Sequence, residues 1–266
     1  MFKYSEERVS GAGLEMSYHL TPWDQPIFQG NTGIIASICL RDAELAVPTF
    51  SIFRDWCVDN RTLLVSCRLP QDRLAECAFL EAQGFRFIEL NYRPTLKTVS
   101  SIVQDPDFDI QLATAADENW VCDLALRAFK TGRVHADPMI DSTLGDRRYA
   151  AWAANAFRDP AQTVLVSKMG GRQTGFMVVE SPSPVQRSWA LLAIDPDEPG
   201  SKVGRRFSQS VLAYHAREGV TEVTSSVSSL NVGSLNLHIS LGFQFPAPSI
   251  TLHWCPFGPV AATATL

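Results

Sequence analysis

The stretch LNLHISLGFQF, residues 235–245, repeats in outline a segment met earlier in the chain, FLEAQGFRFIEL at residues 79–90. Each has a short run with apolar residues at helical spacing, then Gly-Phe, one residue, Phe, and a β-rich continuation. A Gly just past an apolar-periodic run marks a helix end. The aromatic and β-branched residues beyond it favour a strand. A helix-to-strand unit used twice points to an internal repeat at the scale of a fold.

Around the first copy the pattern reads strand GIIASICL, helix VPTFSIFRDWCVDN, strand TLLVSCRL, helix DRLAECAFLEAQG and strand RFIELNY, all between residues 33 and 92. The second of these helices is predicted to bury Leu74, Cys77, Ala78 and Leu80 on one face and to end at Gly84. A polar connector, RPTLKTVSSIVQDPD, follows, and the pattern starts afresh. Strand DIQLATA leads into helix ADENWVCDLALRAFK with Asp117 as its expected N-cap, then helix DRRYAAWAANAFRD. TVLVSKMGGRQTGFMVVES reads as a hairpin turning at Gly170-Gly171. SWALLAID, VGRRFSQSVLAYHAREG, EVTSSV, SLNLHISLG and SITLHW complete the order as strand, helix, strand, helix, strand. The first half thus reads as the last five elements of the second, with crossover helices in both. The expected boundary divides residues 1–100, a truncated copy, from residues 101–266, a complete domain. Joining the two sheets edge to edge would cover exposed edge strands.

A chain of 266 residues with 45% hydrophobic content can bury one large core or two modest ones. The net charge of −5, without a long run of one sign, argues against nucleic acid as the main partner. Six cysteines, at 39, 57, 67, 77, 122 and 255, form no CxxC pair. The usual zinc spacing is therefore missing, no metal is expected, and the thiols read as small buried hydrophobes. The opening MFKYSEERVSGAG lacks the apolar run of a signal peptide, and no stretch reaches membrane-spanning length. A soluble, cytoplasmic protein without a membrane partner is the expectation.

The C-terminal order and several local stretches resemble the GNAT N-acyltransferase superfamily, whose members use acetyl-CoA or another acyl-CoA. TPWDQPIFQG, FKTGRVHADPMID, RRYAAWAANAF and NVGSLNLHISLGF followed by ITLHW are similar to one branch, the two-part acetyltransferases of dTDP-4-amino-4,6-dideoxyhexoses such as dTDP-fucosamine. The fold this implies is α/β (α+β, GNAT-like), a mixed central sheet flanked by helices, with the truncated N-terminal copy extending the sheet. The activity it implies is N-acetyltransfer to a small-molecule amine by direct attack, with no covalent enzyme intermediate.

The resemblance also assigns roles. In the family the CoA pyrophosphate rests on backbone N–H groups at the start of the third helix, where the helix dipole favours anions. PGSKVGRR at 199–206 matches that pattern at Gly204, but Pro199 and Lys202 replace its Arg/Gln and first Gly. Lys202, Val203, Gly204 and Arg205 are the phosphate-side residues it implies, with Arg206 as a further cation. Gly200 and Gly204 equally suit a loop before a helix. Backbone groups of Leu192, Ala193 and Ile194 would pair with the pantetheine arm, the N–H of Ala193 or a neighbour polarising the thioester carbonyl. An ordinary buried strand fits the same run. Asn231 is a natural N-cap for the last helix, and its family counterpart also touches the CoA arm.

His238 falls seven residues after Asn231, where many GNATs place a Tyr that protonates the departing thiolate. As imidazolium it would be the stronger acid, with activity falling as pH rises through its pKa. A structural histidine is the plainer alternative. Glu180, Asp195 and His135 are candidate bases for the amine. Arg133, His135 and Tyr149, with Trp152, are the residues expected to meet the acceptor, while Trp152, Trp23 and Phe28 are also plausible core. Other readings stay open: a GNAT acting on another small amine, a catalytically silent acyl-CoA binder, or an enzyme fed by an acyl carrier protein that meets Lys202, Arg205 and Arg206. A homodimer is compatible with all of them. The N-terminal copy lacks the phosphate-loop signature and is expected to bind nothing.

Overall fold

The computed structural model of the chain describes residues 5–97, 105, 109–196 and 203–262. Its elements run β1 (Glu7–Ser10), β2 (Leu14–Leu20), α1 (Gln25–Phe28), β3 (Asn31–Leu40), α2 (Ala43–Asp59), β4 (Thr62–Pro70), α3 (Leu74–Ala82) and β5 (Arg86–Tyr92). They continue β6 (Thr95–Lys97), β7 (Asp109–Leu112), α4 (Glu118–Ala128), α5 (Arg133–Ala136), α6 (Ser142–Ala156), β8 (Gln162–Met169), β9 (Arg172–Ser183) and β10 (Gln186–Ile194). The last are α7 (Val203–Arg217), β11 (Glu222–Ser225), β12 (Val227–Ser228), α8 (Val232–Ser240) and β13 (Ser249–Trp254).

The repeated Gly-Phe has one physical cause. After α3 the N–H of Phe85 bonds to Leu80 O and that of Gly84 to Glu81 O, with Gly84 at φ 98°. After α8 the N–H of Phe243 bonds to His238 O and that of Gly242 to Ile239 O, with Gly242 at φ 87°. This is the Schellman closure, in which a left-handed residue lets the last carbonyls of the helix find partners. Phe85 and Phe243, next in sequence, are buried and anchor the exit.

The chain forms two compact units: Met1–Asn91 with Arg133–Gly145 and Ala247–Leu266, and Tyr92–Gly132 with Asp146–Pro246. A boundary at 100/101 falls outside the described residues, and a single cut does not describe the division. In unit 1, β1 pairs antiparallel with β2 and β2 with β3, β3 runs parallel to β4, and β13 lies antiparallel between β4 and β5. In unit 2 the order is β6-β11-β10-β9-β8-β7, antiparallel except for the β10–β11 pair. The two mixed sheets are built alike. Each carries, beside the second strand of its parallel pair, a strand from the other part of the sequence: β13 beside β4, and β6 beside β11.

The N-terminal copy is less truncated than its pattern suggested, because β1 and β2 precede β3 as β8 and β9 precede β10. Its core gathers Phe50, Phe53, Phe79, Leu80, Phe85 and Leu252. In α3 the expected face needs correction: Leu74 and Ala78 are exposed, and Glu76, Cys77, Phe79 and Leu80 are buried. Asp117 gives its carboxylate back to Thr114 N and Oγ at 2.7 and 2.8 Å, closing a short turn before α4 rather than capping α4 through its side chain. Gly170 and Gly171 make the β8–β9 turn with φ 59° and 81°, as a two-residue hairpin requires. All six cysteines are free thiols, with Cys57, Cys67, Cys77 and Cys255 buried. Among the described residues no helix is long and apolar enough to cross a membrane, and no three His, Cys, Asp or Glu gather as a metal site.

Candidate active site

In unit 2 the two parallel strands part before β10 ends. β10 and β11 pair from Gln186↔Glu222 to Trp189↔Ser225 and no further. At that point the β9–β10 register slips, Trp189 facing Val179 and Leu191 facing Val178, so Ala190 is a bulge. A bulge bends its strand and increases its twist, which turns the rest of β10 away from β11. Beyond it Leu191–Ile194 keep β9 on one side only.

Ladder geometry decides which backbone groups look into the opening. The N–H of Asp195 bonds to Thr174 O at 2.9 Å. Hydrogen-bonded and non-bonded pairs alternate along an antiparallel ladder, so Asp195, Ala193 and Leu191 turn their N–H and C=O toward β9. Leu192 and Ile194 turn theirs toward the gap. Of Ala193 and its neighbours, one of which was expected to polarise a carbonyl with its N–H, Ala193 spends its N–H on the ladder, and its side chain is buried against the α4 side of the sheet. The donors and acceptors facing the gap belong to its neighbours. Leu192 and Ile194 point their side chains to the α7 face, where Val203 and Phe207 pack.

α7 starts at Val203, directly after the gap. Val203 is buried, Gly204 half-buried and Arg205 exposed, while Lys202 lies outside the described residues. Among the described residues outside its own helix, a Cβ on Gly204 would meet Ile194 Cγ1, at 3.7 Å, an ordinary van der Waals contact. Arg206 holds Asp105 with two bonds, Nε–Oδ2 at 2.6 Å and Nη2–Oδ1 at 3.0 Å. Asn231 caps α8 as expected: its Oδ1 accepts from Ser234 N at 2.9 Å, and its amide nitrogen takes no part in the cap.

His238 sits beside the mouth of the gap. Its ring lies edge-on to Trp189, the last paired residue of β10, at 6.0 Å between centroids, and to Phe243 at 4.8 Å. Its Nδ1 lies 2.8 Å from Ser234 O. A carbonyl only accepts, so Nδ1 carries the hydrogen and Nε2 is left as a bare lone pair. That Nε2 is buried and has no hydrogen-bond partner among the described residues. Burial lowers the pKa of the ring, partly offset by the bond to Ser234. A histidine whose pKa lies below its ordinary value is mostly neutral at neutral pH. Trp189 also donates its indole N–H to His215 Nε2 at 3.3 Å, and burial pushes His215 down to about 3.

The opposite face of the sheet carries an aromatic ladder that the sequence resolved only in part. Phe129 and Tyr149 stack at 4.4 Å and 17°, and Tyr149 and Trp152 at 6.4 Å and 11°. Tyr149 is half-buried with these two rings as neighbours, and its hydroxyl reaches over Gly132, whose added Cβ would lie 2.3 Å away. Arg148 covers the Trp152 ring at 5.9 Å. Of the candidate bases in unit 2, Glu180 accepts from Gln162 Nε2 at 3.1 Å, and Asp195 lies 3.9 Å from Arg127.

Arg133 and His135 belong to unit 1. Arg133 Nη1 donates to Ser66 Oγ at 2.5 Å and to His253 Nε2 at 3.0 Å, and His253 Nδ1–H donates to Asp137 Oδ2 at 2.9 Å. Arg86 completes the group on Asp137 at 3.2 and 3.3 Å. Burial, helped by the Arg133 charge, brings His253 down to about 4 against the pull of Asp137. The sequence offered no sign of this network, since its members are spread from β4 to β13. The His135 ring lies on Gly145, whose added Cβ would fall 2.5 Å from the ring.

Comparison with solved structures follows this architecture over nearly the whole chain. A GCN5-related N-acetyltransferase from Sphaerobacter thermophilus superposes with a TM-score of 0.63 at 12% identity, covering 92% of this chain and 81% of its own. A tandem GNAT protein from the clavulanic acid biosynthesis pathway gives 0.63 at 13%, covering 95% and 83%. The fold is that of the GNAT N-acetyltransferases. A glucosamine N-acetyltransferase region within a fungal multi-domain GH3 β-N-acetylglucosaminidase reaches 0.65 at 9% identity, over 91% of this chain and 31% of that one. No protein-family model matches the sequence, and no curated protein does. At these identities the likeness concerns the GNAT fold.

Proposed function

We propose that the chain is an acyl-CoA-dependent N-acyltransferase whose active site is the gap between β10 and β11. One observation carries this reading: beyond the Ala190 bulge, β10 presents the N–H and C=O groups of Leu192 and Ile194 to an opening in which no strand pairs with it among the described residues. Such an edge takes an extended, amide-bearing arm as an added strand, and the pantetheine of acetyl-CoA is one. Gly204 at the start of α7, with Arg205 beside it, would meet the pyrophosphate, and Asn231 the arm. The same fixed N–H groups are suited to stabilise an oxyanion developing on the thioester carbonyl.

His238 enters this scheme as a proton acceptor first. A neutral acceptor amine attacks the thioester carbonyl, the N–C bond forms, and the nitrogen becomes positively charged. Nε2 of His238 takes the excess proton. The C–S bond then breaks, and the imidazolium returns the proton to the departing thiolate. A nucleotide-linked amino sugar is the acceptor this reading favours, on the resemblance of FKTGRVHADPMID and RRYAAWAANAF to the dideoxyhexosamine branch. The glucosamine-acetylating structural neighbour supports an amino sugar in the same sense. The test is calorimetry with acetyl-CoA, followed by thiol release on a panel of amino sugars, with and without a nucleotide, and of simple amines. Binding with thiol release only on amino sugars is the expected result. Absence of binding to acetyl-CoA would overturn the reading.

A further inference from the structure

The two units carry the same backbone device, and in unit 1 it is already occupied. In β3 the register against β2 slips between Ser37 and Ile35, making Ala36 a bulge as Ala190 is in β10. The parallel partner is lost at the same point, because β3–β4 pairing ends at Ile35↔Cys67 just as β10–β11 pairing ends at Trp189↔Ser225. The N–H of Arg41 bonds to Gly13 O at 2.8 Å. By ladder alternation, Ile38 and Leu40 then face the opening of unit 1, as Leu192 and Ile194 face that of unit 2.

Arg73, the residue before α3, and Glu76 in its first turn reach the strand edge at the opening in unit 1. Glu76 Oε1 accepts from Leu40 N at 3.4 Å, and Arg73 Nη2 donates to Ile38 O at 3.4 Å. Arg73 and Glu76 are also joined to each other by a short ion pair. Together they present one acceptor and one donor along the strand edge, the complement that an amide of an extended ligand would offer. Glu76 is buried, with 6% of its side chain exposed, and the bond from Arg73 keeps its carboxylate ionised, its pKa lowered.

The start of α2 is closed as well. Asp42 Oδ1 accepts from Glu44 N and Leu45 N, both at 2.9 Å. A Cβ on Gly13 would lie 2.4 Å from Ala46 N and Asp42 O, so backbone already packs against that first turn. A carboxylate thus holds the amides that a phosphate would need.

We propose that the Arg73–Glu76 pair is a built-in ligand substitute that closes an acyl-CoA-type groove in unit 1. Each chain then binds one acyl-CoA, in unit 2, and the unit 1 groove is a closed site for a pantetheine-like arm without its nucleotide. This rests on the reading of the β10 edge as the CoA site. Removing the pair frees Leu40 N–H and Ile38 O for an extended amide ligand, while Asp42 still keeps phosphate away.

The experiment is calorimetry and residue-resolved amide exchange on the full chain, with coenzyme A and with pantetheine as probes. The wild type is expected to bind one coenzyme A, which slows exchange at Leu192 and Ile194 and leaves Ile38 and Leu40 unchanged. Arg73→Ala with Glu76→Ala is expected to speed Leu40 exchange by about tenfold and to add a pantetheine site that slows it again. Glu76→Gln, which keeps an acceptor in place, should resemble the wild type. If the double variant does not fold, Glu76→Ala alone carries the same readout at Leu40. Two coenzyme A molecules per wild-type chain, or a folded variant whose Leu40 amide neither speeds up nor responds to pantetheine, would overturn the proposal. A wild type that binds no coenzyme A would sink the CoA reading of unit 2, while the response of Leu40 to pantetheine in the variant would still judge the plug.

Discussion

Leu252→Ala tests the exchange of strands between the halves of the sequence. Leu252 is fully buried and belongs to the unit 1 core with Phe50, Phe53, Leu80 and Phe85, although only fourteen residues of the sequence follow it. Its strand pairs with β4 on one side and β5 on the other. A fully buried Leu truncated to Ala costs about 3 kcal/mol from lost transfer energy and the cavity left behind. At about 1.4 kcal/mol per factor of ten, openings of unit 1 then become roughly 150-fold more frequent. Amide exchange governed by such openings rises by the same factor. Exchange mass spectrometry should show the rise in peptides covering β4 and β5, residues 62–92, and not in those covering β8 to β10, residues 162–194. A rise confined to β8–β11 would refute the placement of β13 in unit 1.

Three further outcomes follow from the candidate site and the buried histidines. Leu192→Pro removes an N–H that faces the gap, whereas Ala193→Pro removes one held by β9; the first should abolish acetyl-CoA binding with circular dichroism unchanged, and the second should unfold unit 2. His238→Phe should lower turnover about 100-fold while leaving acetyl-CoA affinity near wild type. In the wild type, activity should hold above neutrality and fall as pH drops through the lowered His238 pKa; the groups against this ring are Trp189 on β10, Ser234 and Phe243, with His215 on α7 behind the indole. Stability should also decline on acidification. His215 at about 3 and His253 at about 4 lie below the usual value for unfolded histidine, so the unfolded chain binds more protons in the intervening window. Their contribution is therefore complete above about pH 6.5 and is lost as pH falls toward 4 and then 3, each group giving a slope of about 1.4 kcal/mol per pH unit. Denaturant midpoints measured from pH 8 to pH 4 check this, and a flat profile would contradict it.

The repeat was legible because it rests on local rules. A left-handed Gly, a buried Phe and apolar periodicity are written into FLEAQGF and ISLGF, and both segments close their helices with the same two bonds. The destination of SITLHW was not legible. Alternation specifies a strand with two faces but not its neighbours, and β13 buries Leu252 on one face and His253 on the other. The same holds for RPTLK, read as a connector, whose residues 95–97 form β6 through pairing with β11. His238 was singled out by its spacing from Asn231, but the bond to Ser234 O and the burial beside Trp189, which respectively set its tautomer and lower its pKa, arise only on folding.

The contrast between the two grooves was within reach of the sequence, in a form that periodicity hides. Aligning IIASICL with SWALLAI on Ala36 and Ala190 superposes both bulges and both pairs of gap-facing residues. What differs comes next. Two residues separate β3 from α2, and one of them is Asp42, the helix cap; eight separate β10 from α7. The Asp42 cap takes up the first free amides of α2, whereas α7 follows a longer connection and carries Gly204 in its first turn. The buried Glu76 fits the same logic. A carboxylate on the inner face of α3 is costly unless it is paired and hydrogen-bonded, and Arg73 with Leu40 N supplies both conditions at the one place where β3 has lost its neighbour. On this view the charge in the N-terminal core is retained because the fold leaves a strand edge there that something must satisfy, and in unit 2 the same need is left for a ligand.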